Sequence, residues 1–282
     1  MSVLKVWGWT ALSGLALGLL GVSAMGAIAQ TAPGVGADIV HYEDLSPTMQ
    51  ARVIKKIRMV DAARQFAAHP GIPSGFAAPR GALFFGVGGS TKTQESNADS
   101  VDGSLFAGLG LPTGSDAFDA HVIANITSTS SEDFGDSGSF ALKLSHRRDH
   151  DFGTFALGLG VTGLAGWGDA ERGDPAASLT GSWATHVVPE AAPAFPVIVS
   201  FGVGSDVTEN EKTGAFGGLG IGFTPNFSGS LGYNGRESVI GLSRVVPELD
   251  GLNLSMGING ALEDHPERRA IFTVSYTITD LF

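Results

Sequence analysis

Residues 272–282 read Phe272-Thr273-Val274-Ser275-Tyr276-Thr277-Ile278-Thr279-Asp280-Leu281-Phe282. Side chains of an extended chain alternate between two faces. Phe272, Val274, Tyr276, Ile278 and Phe282 therefore share one face, and Thr273, Ser275, Thr277 and Thr279 share the other. The run predicts a strand with one apolar face and one face of small hydroxyl residues.

The same alternation recurs back to Gly81 and predicts twelve strands. Leu83, Phe85 and Val87 mark the first, Leu105, Ala107 and Leu109 the second, and Phe118, Val122 and Ile126 the third. Phe140, Leu142 and Leu144 mark the fourth, and Phe155, Leu157 and Leu159 the fifth. Leu179, Trp183 and Val187 mark the sixth, Phe195, Val199 and Phe201 the seventh, and Leu219, Ile221 and Phe223 the eighth. Phe227, Leu231 and Tyr233 mark the ninth, Ile240 and Leu242 a weaker tenth, and Leu252, Leu254, Met256 and Ile258 the eleventh. Between these positions stand Gly, Ser, Thr, Asn and Ala, and charge is concentrated in the connections. A soluble sandwich carries charge on its outer face. An apolar band against lipid around a weakly polar lumen fits this pattern, so the expected fold is all-β, a transmembrane antiparallel barrel.

The connections agree. Those at about 91–102, 128–138, 166–175 and 205–213 are long and mostly acidic, with clusters at Glu132, Asp133 and Asp136, at Asp169, Glu171 and Asp174, and at Asp206, Glu209 and Glu211. Those at 112–117, 148–153 and 224–226 are shorter, and Asn234-Gly235 predicts a tight hairpin. Phe118, Phe155, Phe195, Phe223, Phe227 and Phe282 fall at the predicted periplasmic strand ends, with Trp167 and Tyr233 near the opposite rim. That is where interfacial aromatics belong.

Residues 1–29 predict a signal peptide: Lys5, an apolar stretch over 11–20, and Ala27-Ile28-Ala29 before the cleavage point. No later run reaches the roughly 18 apolar residues of a spanning helix. The chain has no Cys and a net charge of -11. The first excludes thiol chemistry and cysteine-held metals, and the second argues against nucleic acid.

Residues 30–79 form a distinct segment, ahead of the barrel at 80–282. Ser46-Pro47 predicts a helix start, and the helix spans about 47–68 before His69-Pro70-Gly71. It carries Arg52, Lys55, Lys56, Arg58 and Arg64, five of the chain's seventeen Lys and Arg residues. Three placements fit: packed on a periplasmic surface, plugging the lumen wholly or in part, or contacting acidic lipid or a periplasmic partner.

The chain from Gly81 to Phe282 resembles the transmembrane barrels of Gram-negative outer membranes, a porin-like class. The resemblance implies contact with outer-membrane lipid and lipopolysaccharide. It also implies that the outer-membrane assembly machinery reads the terminal aromatic and the alternate residues before it. Val274, Tyr276, Ile278 and Phe282 match that signal, and Asp280 stands at a position usually apolar.

The lumen-facing candidates are His121, Asn125, Lys143, Arg147, His186 and Arg244, joined by Phe84 and Ser145. Glycines such as Gly86, Gly108, Gly110, Gly158, Gly202 and Gly222 leave space there, for a water-filled channel or for another segment. The function expected is passive diffusion of small polar or anionic solutes. The alternatives are a non-conducting structural or interaction barrel, and a lipid hydrolase or acyltransferase. The last is disfavoured because Ser145 and His146, adjacent in a strand, point to opposite faces. No catalytic residue, metal site or cofactor is expected.

Overall fold

The computed structural model describes residues 46, 68–91, 101–127, 129, 133–150, 152–187, 195–207, 212–224, 226–263, 268–279 and 281. Twelve antiparallel strands close into one barrel in chain order, with the first paired to the last. They are β1 (Leu83–Thr91), β2 (Val101–Leu111), β3 (Phe118–Ile126), β4 (Gly138–His150), β5 (Gly153–Trp167) and β6 (Ala176–Val187). β7 (Phe195–Gly204), β8 (Gly214–Thr224), β9 (Phe227–Tyr233), β10 (Ser238–Val245), β11 (Leu252–Asn259) and β12 (Arg269–Ile278) complete the circuit.

The period of two carries through the strands. On β12, Phe272, Val274 and Ile278 are exposed while Thr273 and Ser275 are buried. On β5, Phe155, Leu157 and Leu159 face out and Thr154 and Ala156 face in. Exposure of large side chains on the outer face reaches 69% at Phe201 and 61% at Met256. So continuous an apolar exterior on a barrel without edges is stable in lipid and not in water. The protein is an outer-membrane type β-barrel.

Odd-numbered strands end and even-numbered strands begin at one end of the barrel, here the loop rim; even-numbered strands end and odd-numbered strands begin at the other, the turn rim. Two turns differ from the sequence reading, the first tighter and the second longer than expected. β4 runs on to His150 and β5 starts at Gly153, which leaves only 151–152 between them. Asn234-Gly235 belongs to a four-residue turn: the Asn234 side-chain oxygen accepts from the N–H groups of Arg236 and Glu237, and Gly235 takes φ +101°.

Aromatics gather on the outer face at both rims. Phe155 stacks on Trp183 and meets Phe152 and His150 at the turn rim, while Phe140 packs on Trp167 at the loop rim. Phe282, and with it Asp280, lies outside the described residues, as does the helix expected over about 47–68 with Arg52, Lys55, Lys56, Arg58 and Arg64.

Candidate functional site: the strapped lumen

The inner face is small and polar, and a stretch of the chain crosses it. Residues 68–82 precede β1 as a non-helical strap, and from Ala68 to Gly75 every residue is buried. Two prolines and two glycines within 70–75 keep the strap out of both helix and sheet ladder. Its backbone polar groups then need partners that no regular element supplies.

The wall supplies them. His69 reaches Ser200 on β7 through Nε2 (2.8 Å) and the Ile72 carbonyl through Nδ1 (3.1 Å). Ser200 shares a hydrogen bond with Ser182 of β6, and Ser182 accepts from the Gly75 N–H at 2.7 Å. On β4, Ser145 donates to the Gly75 carbonyl (2.7 Å) and Lys143 donates to the Ser74 carbonyl. On β3, His121 Nδ1 accepts from the Ala78 N–H at 2.8 Å. The strap then joins the wall, with Gly110 donating to Ala82 (2.7 Å) and Gly81 donating to Gly110 (3.1 Å).

Glycine makes room for this. A Cβ on Gly158 would lie 2.5 Å from the Gly75 carbonyl oxygen, one on Gly110 1.8 Å from the Pro79 oxygen, and one on Gly220 2.3 Å from the Ala68 oxygen. Ile72 fills the gap left by Gly218 and Gly232, where added Cβ atoms would come within 2.9 and 2.7 Å of it. Apolar groups close both ends of the strap: Ile72 with Phe216, Val239 and Ile271, and Ala78 and Ala82 with Phe84, Phe106, Ile123 and Ala141. Of the two uses expected for the glycine-lined wall, the described residues realise space for another segment.

The sequence-derived lumen residues divide. His121 (1% exposed), Lys143 (4%) and Asn125 (6%) face inward and are buried, His121 and Lys143 directly opposite one another across the β3–β4 pair. Arg147 keeps the phase of Lys143 and Ser145 and pairs with Asp119 at 3.4 Å, near the turn rim. His186 is half-buried beside Pro196 in the β6–β7 register. Arg244 is a correction: it shares the phase of Ile240 and Leu242, so it faces outward, its guanidinium 5.2 Å above the Phe227 ring. Ser145 and His146 do diverge, the first to the strap and the second to the Phe118 ring outside.

Ser182 and Ser200 were missed, as was the fact that residues 68–82 are the part of the N-terminal segment that lies against the wall. The signal for the strap was present as the chargeless run His69-Pro70-Gly71-Ile72-Pro73-Ser74-Gly75-Phe76-Ala77-Ala78-Pro79, read as the stop of the helix within a segment for which plugging the lumen was one of three placements. Among the described residues, no three His, Asp or Glu side chains converge to hold a metal.

At the loop rim, Glu237 binds Arg269 and accepts from Asn259, and Arg236 pairs with Asp206 at 3.4 Å. The nearby Glu263 carboxylate accepts from the Ser238 hydroxyl (2.6 Å) and N–H (2.7 Å), and these bonds hold its pKa below the usual carboxylate value.

No family model matches the chain, and no curated protein is similar to it. Solved structures with a similar course include an outer-membrane channel from Pseudomonas putida F1, at TM-score 0.44 and 13% identity, covering 72% of this chain and 97% of that one. The KdgM porin in complex with disordered oligogalacturonate aligns at TM-score 0.44 and 7% identity, covering 69% and 98%. The β domain of the Bordetella autotransporter BrkA aligns at TM-score 0.33 and 18% identity, covering 71% and 100%. The barrel assignment rests on the closed sheet and its apolar exterior.

Proposed function

We propose that this barrel is a channel for small polar or anionic solutes and that residues 68–82 govern passage through it. One observation carries the reading: the strap lies against a wall of hydroxyls, glycines and two basic side chains. An eight-stranded barrel is filled by its own side chains, and a larger one encloses space. Here that space holds a chain segment, and moving the segment aside leaves a polar surface suited to water and solute. Lys143 and His121 give that surface its basic character.

The second reading is a closed barrel that conducts nothing and serves as an interaction platform. It is favoured by how completely the strap is buried, with Ile72 at 1% and Ala78 at 0% exposure.

A cross-link separates the two. The chain has no Cys, and a Cβ on Gly241 would come 2.4 Å from Pro70 Cγ, so Pro70→Cys with Gly241→Cys places a single bridge between strap and β10. In planar bilayers the refolded chain is expected to show channel steps and an anion-biased reversal potential with the bridge reduced, and to lose its openings when the bridge forms. Silence from verified, inserted, reduced barrels favours the closed platform. Equal conductance with the strap locked removes the strap from the mechanism.

A further inference from the structure

His121 and Lys143 hold more hydrogen-bond donors than their surroundings use. Because His121 Nδ1 accepts from the Ala78 N–H, the neutral ring carries its proton on Nε2. That Nε2 is buried and has no partner among the described residues. The ring is fixed by an edge contact with Phe84, centroids 5.6 Å apart, so it is not free to turn toward another acceptor. Directly across the β3–β4 pair, the Lys143 ammonium has three donors, and the Ser74 carbonyl takes one. No described carboxylate lies within ion-pair distance of it.

A buried cation with one neutral acceptor, beside a buried N–H with none, is costly unless an anion completes the group. The existing acceptor belongs to the strap, which lies flush here: a Cβ on Gly158 would come within 2.5 Å of the Gly75 carbonyl oxygen and 3.0 Å of Lys143 Cε, so an anion reaching the ammonium meets the strap.

We propose that His121 Nε2–H and the Lys143 ammonium form a binding site for a small carboxylate, and that this anion and the Ser74 carbonyl compete for Lys143. The strap thus holds the place of the anion, and anion binding loosens residues 74–78. This deepens the channel reading and rests on it for its biological sense, although binding itself requires no conduction.

The test is a titration of the full chain, refolded in micelles, with sodium formate, against sodium sulfate at matched ionic strength. The chain has seven histidines, so a ¹⁵N-histidine spectrum is sparse, and the His121 Nε2 signal is assigned by its loss in His121→Gln. Formate is expected to shift that signal saturably and to speed amide exchange at Gly75 and Ala78 several-fold. Lys143→Met should abolish the saturation while His186 reports an intact fold, and Lys143→Arg should retain it. A His121 signal indifferent to formate, or a shift unchanged by Lys143→Met, overturns the site. A saturable shift in a barrel that never conducts preserves the site and rejects the channel, so the two failures are distinguishable.

Discussion

Two arcs of the inner wall hold one strap by opposite means. From β3 to β7 the wall reaches out to it, through His121, Lys143, Ser145, Ser182 and Ser200. From β8 to β10 the wall recedes, because Gly218, Gly220, Gly232 and Gly241 present no side chain and the strap's Ala68, Pro70 and Ile72 settle into the space. Hydrogen bonds are directional and fix where the strap lies along the wall. The glycine arc supplies close packing, which tolerates no added volume but imposes no direction. The arrangement therefore has a specified side and a fitted side, and the two should respond differently to mutation.

Adding volume to the fitted side is expected to have the largest effect. Gly220→Leu drives a side chain into the Ala68 carbonyl, a backbone atom that even a Cβ would approach to 2.3 Å, so the strap must leave this arc and its contacts there are lost together. Protease sensitivity at residues 68–73 in an inserted, heat-resistant barrel would register that departure. Removing volume from the strap comes next. Ile72→Ala empties a buried site for about 2–5 kcal/mol, and hydrogen exchange should rise at 70–75 while the β-ladder amides stay protected.

On the specified side, Ser182→Ala leaves the Gly75 N–H without its acceptor, a loss of about 1–3 kcal/mol. The Ser243 and Ser255 hydroxyls bond to each other at 2.9 Å, in a part of the wall with no described strap hydrogen bond. Changing both to Ala should be close to neutral, since both partners go together. Equal losses for these two variants in urea unfolding would erase the distinction between the arcs.

The smallest effect lies beyond both arcs, at the loop rim. Hydrogen bonds to the charged form depress the Glu263 pKa in the folded protein. Its contribution is therefore complete above the ordinary carboxylate pKa and disappears as pH falls through the lowered folded value. Ser238→Ala should move the Glu263 carboxyl midpoint upward in ¹³C NMR with no change in the strap. A strap response there would mean that the rim and the lumen are coupled.

The outer face was legible in the sequence because lipid asks one thing of every position. Phe272, Val274, Leu157 and Met256 satisfy it independently, so alternation alone located strands and exterior. Even Arg244 was decidable from its phase with Ile240 and Leu242, and it was misplaced when charge was weighed above periodicity. The inner face was not legible in the same way. Ser182 and Ser200 look like any other small residues on a strand, and their role comes from a segment more than a hundred positions away in the chain. The strap left only a negative sign, a run without charge or period, because its conformation is set by the wall and not by its own propensities.

Gly75 and Gly158 meet backbone to backbone, and neither has room for a methyl group. Strap and wall are thus matched like the two halves of a casting. A wider side chain on either meets backbone atoms that no smaller residue can withdraw, so changes at such positions are reached only through a variant whose strap is out. Redesign of this lumen accordingly starts with the strap, and replacing residues 68–79 as a cassette gives access to wall sequences that single substitutions cannot reach.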